Sequence, residues 1–143
     1  MDKLEYIPGD LVSVYVGIKK YIVEVIGTEN ENEVFSYQIK FQNGEIQYAD
    51  KDNIVPIPLT SEILKKNGWK QNGGQYSFTF KPYAGDKVEL IGFFIEMFKD
   101  VHDMLKHRYF QITHEDKVIC GCFYVHQLQH HLFGFGINHE MEV

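Results

Sequence analysis

The chain has 143 residues, 44% hydrophobic and 15% aromatic, which is enough for the packed interior of one domain or two small subdomains and excludes a globally disordered chain. Its formal net charge is −6 and is unevenly spread: residues 1–58 carry five Lys against ten Asp and Glu, whereas residues 59–143 carry nine Lys and Arg against ten. Clustered Lys and Arg drive nucleic-acid binding by releasing counterions, and the isolated pairs Lys19-Lys20 and Lys65-Lys66 form no such cluster, so DNA or RNA is not the expected partner.

The run from Leu90 to Phe98 is too short to span a membrane, which takes ~20 apolar residues, and Gly92 and Glu96 interrupt it. Met1-Asp2-Lys3-Leu4-Glu5 is polar and acidic, unlike a secretory leader, and the two cysteines, Cys120 and Cys122, imply no disulfide framework. The expected compartment is the cytoplasm.

In chain order, Pro8-Gly9-Asp10 predicts a turn and Leu11–Val16 a strand, with Val12, Val14 and Val16 on one face. Tyr21–Ile26 reads as a second strand ended by Gly27, and the polar Thr28–Glu33 as an exposed loop. Phe35–Gln42 alternates apolar and polar, and Asn43-Gly44 follows as the signature of a two-residue hairpin. That turn places Phe41 opposite Ile46 and Ile39 opposite Tyr48. Ile54-Val55 ends the region before Pro56-Ile57-Pro58. Residues 1–58 thus predict a small SH3-like β-barrel or a curled sheet, with a bent meander as the alternative.

Thr60 is an N-cap for a short central helix that Gly68 terminates. Trp69 opens a strand, Asn72-Gly73-Gly74 turns, and Tyr76, Phe78 and Phe80 alternate back towards a turn at Pro82–Asp86. Val88–Met97 is apolar on both faces apart from Glu89 and Glu96 and predicts a central, largely buried strand. Lys99–Lys106 fits either a short helix or a loop. Arg108–Thr113 and Lys117–Cys122 pair around His114-Glu115-Asp116. From about Phe123 to Phe135 the period is helical: Tyr124, Val125, Leu128, Leu132 and Phe135 share one face, and His126, Gln129 and His130 point away. The tail Glu140–Val143 fits a short edge strand. The fold class is α+β, with residues 59–143 an antiparallel sheet packed by the C-terminal amphipathic helix, in a second subdomain or one continuous with the first.

Two stretches, Ile54-Val55-Pro56-Ile57-Pro58-Leu59-Thr60-Ser61-Glu62-Ile63-Leu64-Lys65-Lys66-Asn67-Gly68-Trp69 and Tyr124-Val125-His126-Gln127-Leu128-Gln129-His130, carry a resemblance. Their order and spacing resemble a group of small uncharacterised proteins from Bacteroides-type gut bacteria and their phages or prophages. The resemblance implies a phage or mobile-element origin and a bacterial cytoplasm, and transfers no catalytic residue.

His126 and His130, four apart on a helix, have the spacing of two metal ligands, but Gln127 stands where a metalloprotease helix carries its general base. A zinc or other transition-metal site would add Cys120 and Cys122, or His131 or His139. Against it stands an exposed polar helix face. Cys120-Gly121-Cys122 puts both thiols on one strand face, as a metal pair, a redox pair or two small buried residues, the last being favoured. His102, Asp103, His107, His114, Glu115 and Asp116 form a polar scatter of the kind turns carry anyway. No serine sits in a nucleophile-elbow context, and Gly73-Gly74 belongs to a turn rather than a phosphate loop. The leading expectation is a non-catalytic module with an unidentified protein partner and no cofactor; a metal-binding protein or metal-dependent enzyme using His126 and His130 with Cys120 and Cys122 is the rival.

Overall fold

The computed structural model describes residues 6–31, 34–81, 86–96, 108–135 and 140–143. The chain divides into two compact units, Met1–Ile57 and Pro58–Val143. It is an α+β protein: among the described residues each unit holds one five-stranded antiparallel sheet, and two α-helices belong to the second.

The first unit runs β1 (Leu11–Val16), β2 (Lys19–Glu31), β3 (Val34–Phe41), β4 (Ile46–Ala49), a 3-10 turn (Lys51–Asn53) and β5 (Ile54–Pro56). The sheet order is β4-β3-β2-β1-β5, so among the described residues β4 and β5 are free edges and no closed barrel forms. Before β1, Gly9 takes the positive φ of the predicted turn, and the Ile7 N–H donates to the Asp10 carboxylate. Val12, Val14, Val23, Val25, Tyr37 and Ile39 fill the core from alternating positions.

Two expectations fail here for local reasons. Thr28–Glu31 is not loop: β2 continues through it and pairs with Val34–Tyr37. Gly27 does not end the strand but follows a register shift between Val25 and Gly27, a bulge that lets the strand bend and continue. The second failure is the Asn43-Gly44 hairpin. The Phe41 N–H donates to the Glu45 carbonyl, which makes Gln42-Asn43-Gly44 a three-residue loop. Only Gly44 takes positive φ, while the Asn43 side chain accepts from the Glu45 N–H. The register therefore slips by one: Lys40 faces Ile46 and Gln38 faces Tyr48. A one-residue slip sends side chains to the other face of a strand, and Ile46 and Tyr48, expected against apolar partners, are 50% and 58% exposed.

The second unit runs α1 (Ser61–Lys66), β6 (Lys70–Asn72), β7 (Gln75–Phe80), β8 (Val88–Glu96), β9 (Arg108–His114), β10 (Lys117–Cys122) and α2 (Val125–Gly134), with sheet order β10-β9-β8-β7-β6. The predicted caps of α1 are present: the Thr60 hydroxyl accepts from the Ile63 N–H, and Gly68 takes φ +91° while the Trp69 N–H donates to the Leu64 carbonyl. Trp69 precedes the strand it was expected to open and is buried instead. Gly73-Gly74 makes the two-residue turn between β6 and β7. β8 is central as expected but not buried on both faces: Leu90 and Gly92 are buried, whereas Glu89 and Phe93 are exposed.

One face of this sheet is an aromatic core. The Phe110 ring stands 5.0 Å from Phe94, 5.2 Å from Trp69 and 5.8 Å from Tyr76, centroid to centroid. Such ring pairs stabilise by about 0.5–1.5 kcal/mol beyond their buried area. The Tyr76 hydroxyl bonds Ser61 Oγ at 2.8 Å and ties the sheet to α1. Helix α2 packs on the same sheet through Val125, Leu128 and Leu132. Its first turn is closed by the Gln127 side chain, whose Oε1 accepts from the Phe123 and Tyr124 N–H groups.

Glu140–Val143 forms no edge strand. Its backbone is held by a side chain instead: Asn67 donates to the Glu142 carbonyl and accepts from the Glu142 N–H, both at 2.8 Å. An amide matches one residue's donor and acceptor at once, which removes the need for a partner strand. Residues 82–85 of the expected Pro82–Asp86 turn and the ambiguous Lys99–Lys106 segment lie outside the described residues. No helix among the described residues is long and apolar enough to cross a membrane.

Candidate functional site

Helix α2 brings His126 and His130 together, with ring centroids 5.6 Å apart, and Tyr124 stacks on His126 at 5.9 Å and 13°. Their burial corrects the sequence reading. His126 is 3% exposed and Gln129 fully buried, where both were expected in solvent, and Phe135, expected on the packed face, is exposed. The docked surface of α2 covers two adjacent rows, Val125-Leu128-Leu132 and His126-Gln129, and so is wider than its apolar stripe. Phe135 is the C-cap residue, where helical projection no longer sets direction.

Burial lowers the His126 pKa to about 4, and the neighbouring His130 adds to the effect. His131 is also shifted down by burial, against a hydrogen bond to the Gly121 backbone that favours its charged form. Burial thus disfavours the charged form of both imidazoles. Cys120 and Cys122 share a face of β10, opposite Ile112 and Phe110. Burial pushes Cys120 up to about 11; burial and then the neighbouring Cys120 push Cys122 up to about 12.

A thiol ligates or attacks as the thiolate, so both cysteines are set for packing rather than chemistry at neutral pH. Cys120 is expected to react with a disulfide reagent at pH 8 about a hundredfold more slowly than an unperturbed cysteine, in proportion to its thiolate fraction. Cys122 is expected to react only as fast as the unit opens. Timed labelling of the C120S and C122S variants, read by mass spectrometry, measures each thiol; rapid labelling of either in the folded chain contradicts this assignment.

His126 and His130 supply two of the four ligands a structural zinc takes. Among the described residues, no three of the His, Cys, Asp and Glu side chains come together in a way that could hold a metal ion. The four predicted ligands thus form two separate pairs. In the polar scatter, His114 sits 3.8 Å from Glu115 on an exposed turn; His102, Asp103, His107 and His139 lie outside the described residues.

The first unit holds a feature that reading residue types in order misses, a groove of about 390 Å³. Val14, Ile39 and Ala49 line it from the core, and Tyr15, Tyr48 and Asp50 from the exposed side. β1 and β4 both line it although β2 and β3 separate them in the sheet. Strands sit about 4.8 Å apart, so the sheet curls to bring them to one groove. Tyr15 is 46% exposed, and the Lys20 ammonium lies 5.9 Å from its ring centroid. The signal that marks this site is the Gln42-Asn43-Gly44 loop, because its length decides that Tyr48 faces outward.

No family model, curated protein or solved structure matches this chain.

Proposed function

We propose that the chain is a non-catalytic protein-interaction module of phage or mobile-element origin, whose N-terminal unit is an SH3-like half-barrel carrying the binding surface. The observation that carries the binding reading is the apolar material left in solvent at the groove: Tyr15, Val16 and Tyr48 line it and all three are exposed. Contiguous exposed apolar surface marks interaction sites on soluble domains. Among the described residues β4 is an edge strand, the kind of strand to which an extended peptide adds. The half-barrel reading draws support from the strand order β4-β3-β2-β1-β5, the bulged long β2 and the 3-10 turn before β5. The origin rests on the resemblance of the Pro56–Trp69 and Tyr124–His130 stretches.

Selection of a random peptide-display library on the immobilised full chain tests the module. The expected result is enrichment of short linear sequences whose binding is lost in the Tyr48→Ala variant. A library that enriches nothing, or binders indifferent to Tyr48→Ala, overturns the reading.

A further inference from the structure

We infer that the groove of the N-terminal unit takes a lysine- or arginine-bearing extended peptide, a reading that rests on the interaction module proposed above and names its partner's chemistry. Tyr15 already receives a cation on its ring face, from Lys20 of the same chain at 5.9 Å. An aromatic face attracts an ammonium or guanidinium through its quadrupole. Tyr48 lines the same groove from β4.

The groove lining also includes a carboxylate. Asp50 precedes the 3-10 turn in the capping position, yet its side chain makes no cap hydrogen bond there, so the turn does not consume its charge. Val14, Ile39 and Ala49 supply apolar lining for the methylene stem of a long basic side chain. The net charge of the unit has the right sign, since residues 1–58 hold ten acidic residues against five Lys and no Arg. An acidic or phosphorylated peptide meets that field as repulsion. A wholly apolar segment would cover Asp50 without pairing it, a desolvation cost with no return. The position of β4 at the edge of the described sheet suits an extended peptide aligned along it, with alternate side chains entering the groove.

The test is fluorescence anisotropy of the full chain with four labelled nonapeptides that alternate valine with lysine, arginine, acetyl-lysine or glutamate. The lysine and arginine peptides are expected to bind, and the acetylated peptide about tenfold more weakly, a difference of ~1.4 kcal/mol. Asp50→Asn keeps the side chain's shape and is expected to weaken the lysine peptide by about tenfold, and Tyr48→Ala by roughly fivefold. Glu29→Gln, an exposed acid on β2 outside the groove lining, is expected to stay within about twofold. Asp50→Lys is expected to reverse the preference towards the glutamate peptide. Equal losses from Glu29→Gln and Asp50→Asn would show diffuse charge attraction and overturn the inference, as would undiminished binding of the acetylated peptide. If display-selected neutral or acidic peptides bind and depend on Tyr48 while the lysine and arginine peptides do not bind, the interaction module stands and this inference falls. If no peptide binds, both fall.

Discussion

Replacing Gly92 with alanine is expected to destabilise the C-terminal unit by about 3 kcal/mol or more, beyond the usual range for one added methyl group. A Cβ at this position lies 2.0 Å from Cζ of Phe110 and 2.6 Å from two further ring carbons. The ring cannot step aside. Phe110 is fully buried and is held at 5.0 Å by Phe94 and at 5.2 Å by Trp69. The helix or strand propensity gained by leaving glycine is at most ~1 kcal/mol and does not offset the clash. Because a two-state unit of this size loses about 4–8 °C per kcal/mol, the melting temperature is expected to fall by more than ~10 °C. The diagnostic is a double-mutant cycle: Phe110→Leu costs stability alone, but Gly92→Ala added to it costs far less than in the parent chain. Additive losses would show that the ring contact is not the cause. Gly121 provides the contrast. Its Cβ would meet Tyr109 at 2.7 Å, but Tyr109 is only partly buried, so the clash falls on a less confined ring.

Gly92 also shows what was legible. Within the apolar run it reads as an interruption, whereas a glycine inside a strand is itself a sign of close approach by another group. The approaching group, Phe110, comes from β9, and only the pairing of Gly92 with Ile112 brings it there. Strands and caps were readable where local chemistry decides: the alternation of Val12 and Val14, Thr60 as N-cap, Gly68 as the positive-φ stop, and the Gly73-Gly74 turn.

Turn type was harder, because it depends on the sheet being joined. Asn43-Gly44 has the composition for a two-residue turn and forms part of a three-residue loop. Glu115-Asp116 lacks that composition, yet it makes the two-residue turn between His114 and Lys117 with φ of +51° and +67°. There the pairing of β9 with β10 imposes a conformation that Asp116 tolerates and Glu115 disfavours. The groove inherits this difficulty. Tyr48 and Asp50 carry no motif, and their use follows from a register that one residue of loop length decides.

The histidines were legible as a pair and not as buried groups, since polarity alone places His126 and Gln129 in solvent. Neutral imidazole and amide groups are nevertheless tolerable inside a protein when the charged form is avoided, as the lowered His126 pKa shows.

That burial sets an acid limit on the fold. His126 titrates near 6.5 in an unfolded chain and near about 4 here. Above pH 6.5 both states hold it neutral, and it contributes no pH dependence. Between about 6.5 and 4 the unfolded chain takes up a proton that the folded chain refuses, so stability falls as pH falls. Below about 4 the folded form is protonated as well, and the slope from this residue ends. A depression of this size removes roughly 3 kcal/mol across the window, at 1.36 kcal/mol per pH unit. His131, shifted the same way, adds to the slope. Urea unfolding at pH 7, 6, 5 and 4.5 is therefore expected to show midpoints declining steadily below pH 6.5. His126→Phe keeps a ring to stack on Tyr124 and removes the titration, so its midpoints are expected to decline less over the same range. If the parent chain and His126→Phe lose stability in parallel, burial of this imidazole is not what limits the fold in acid.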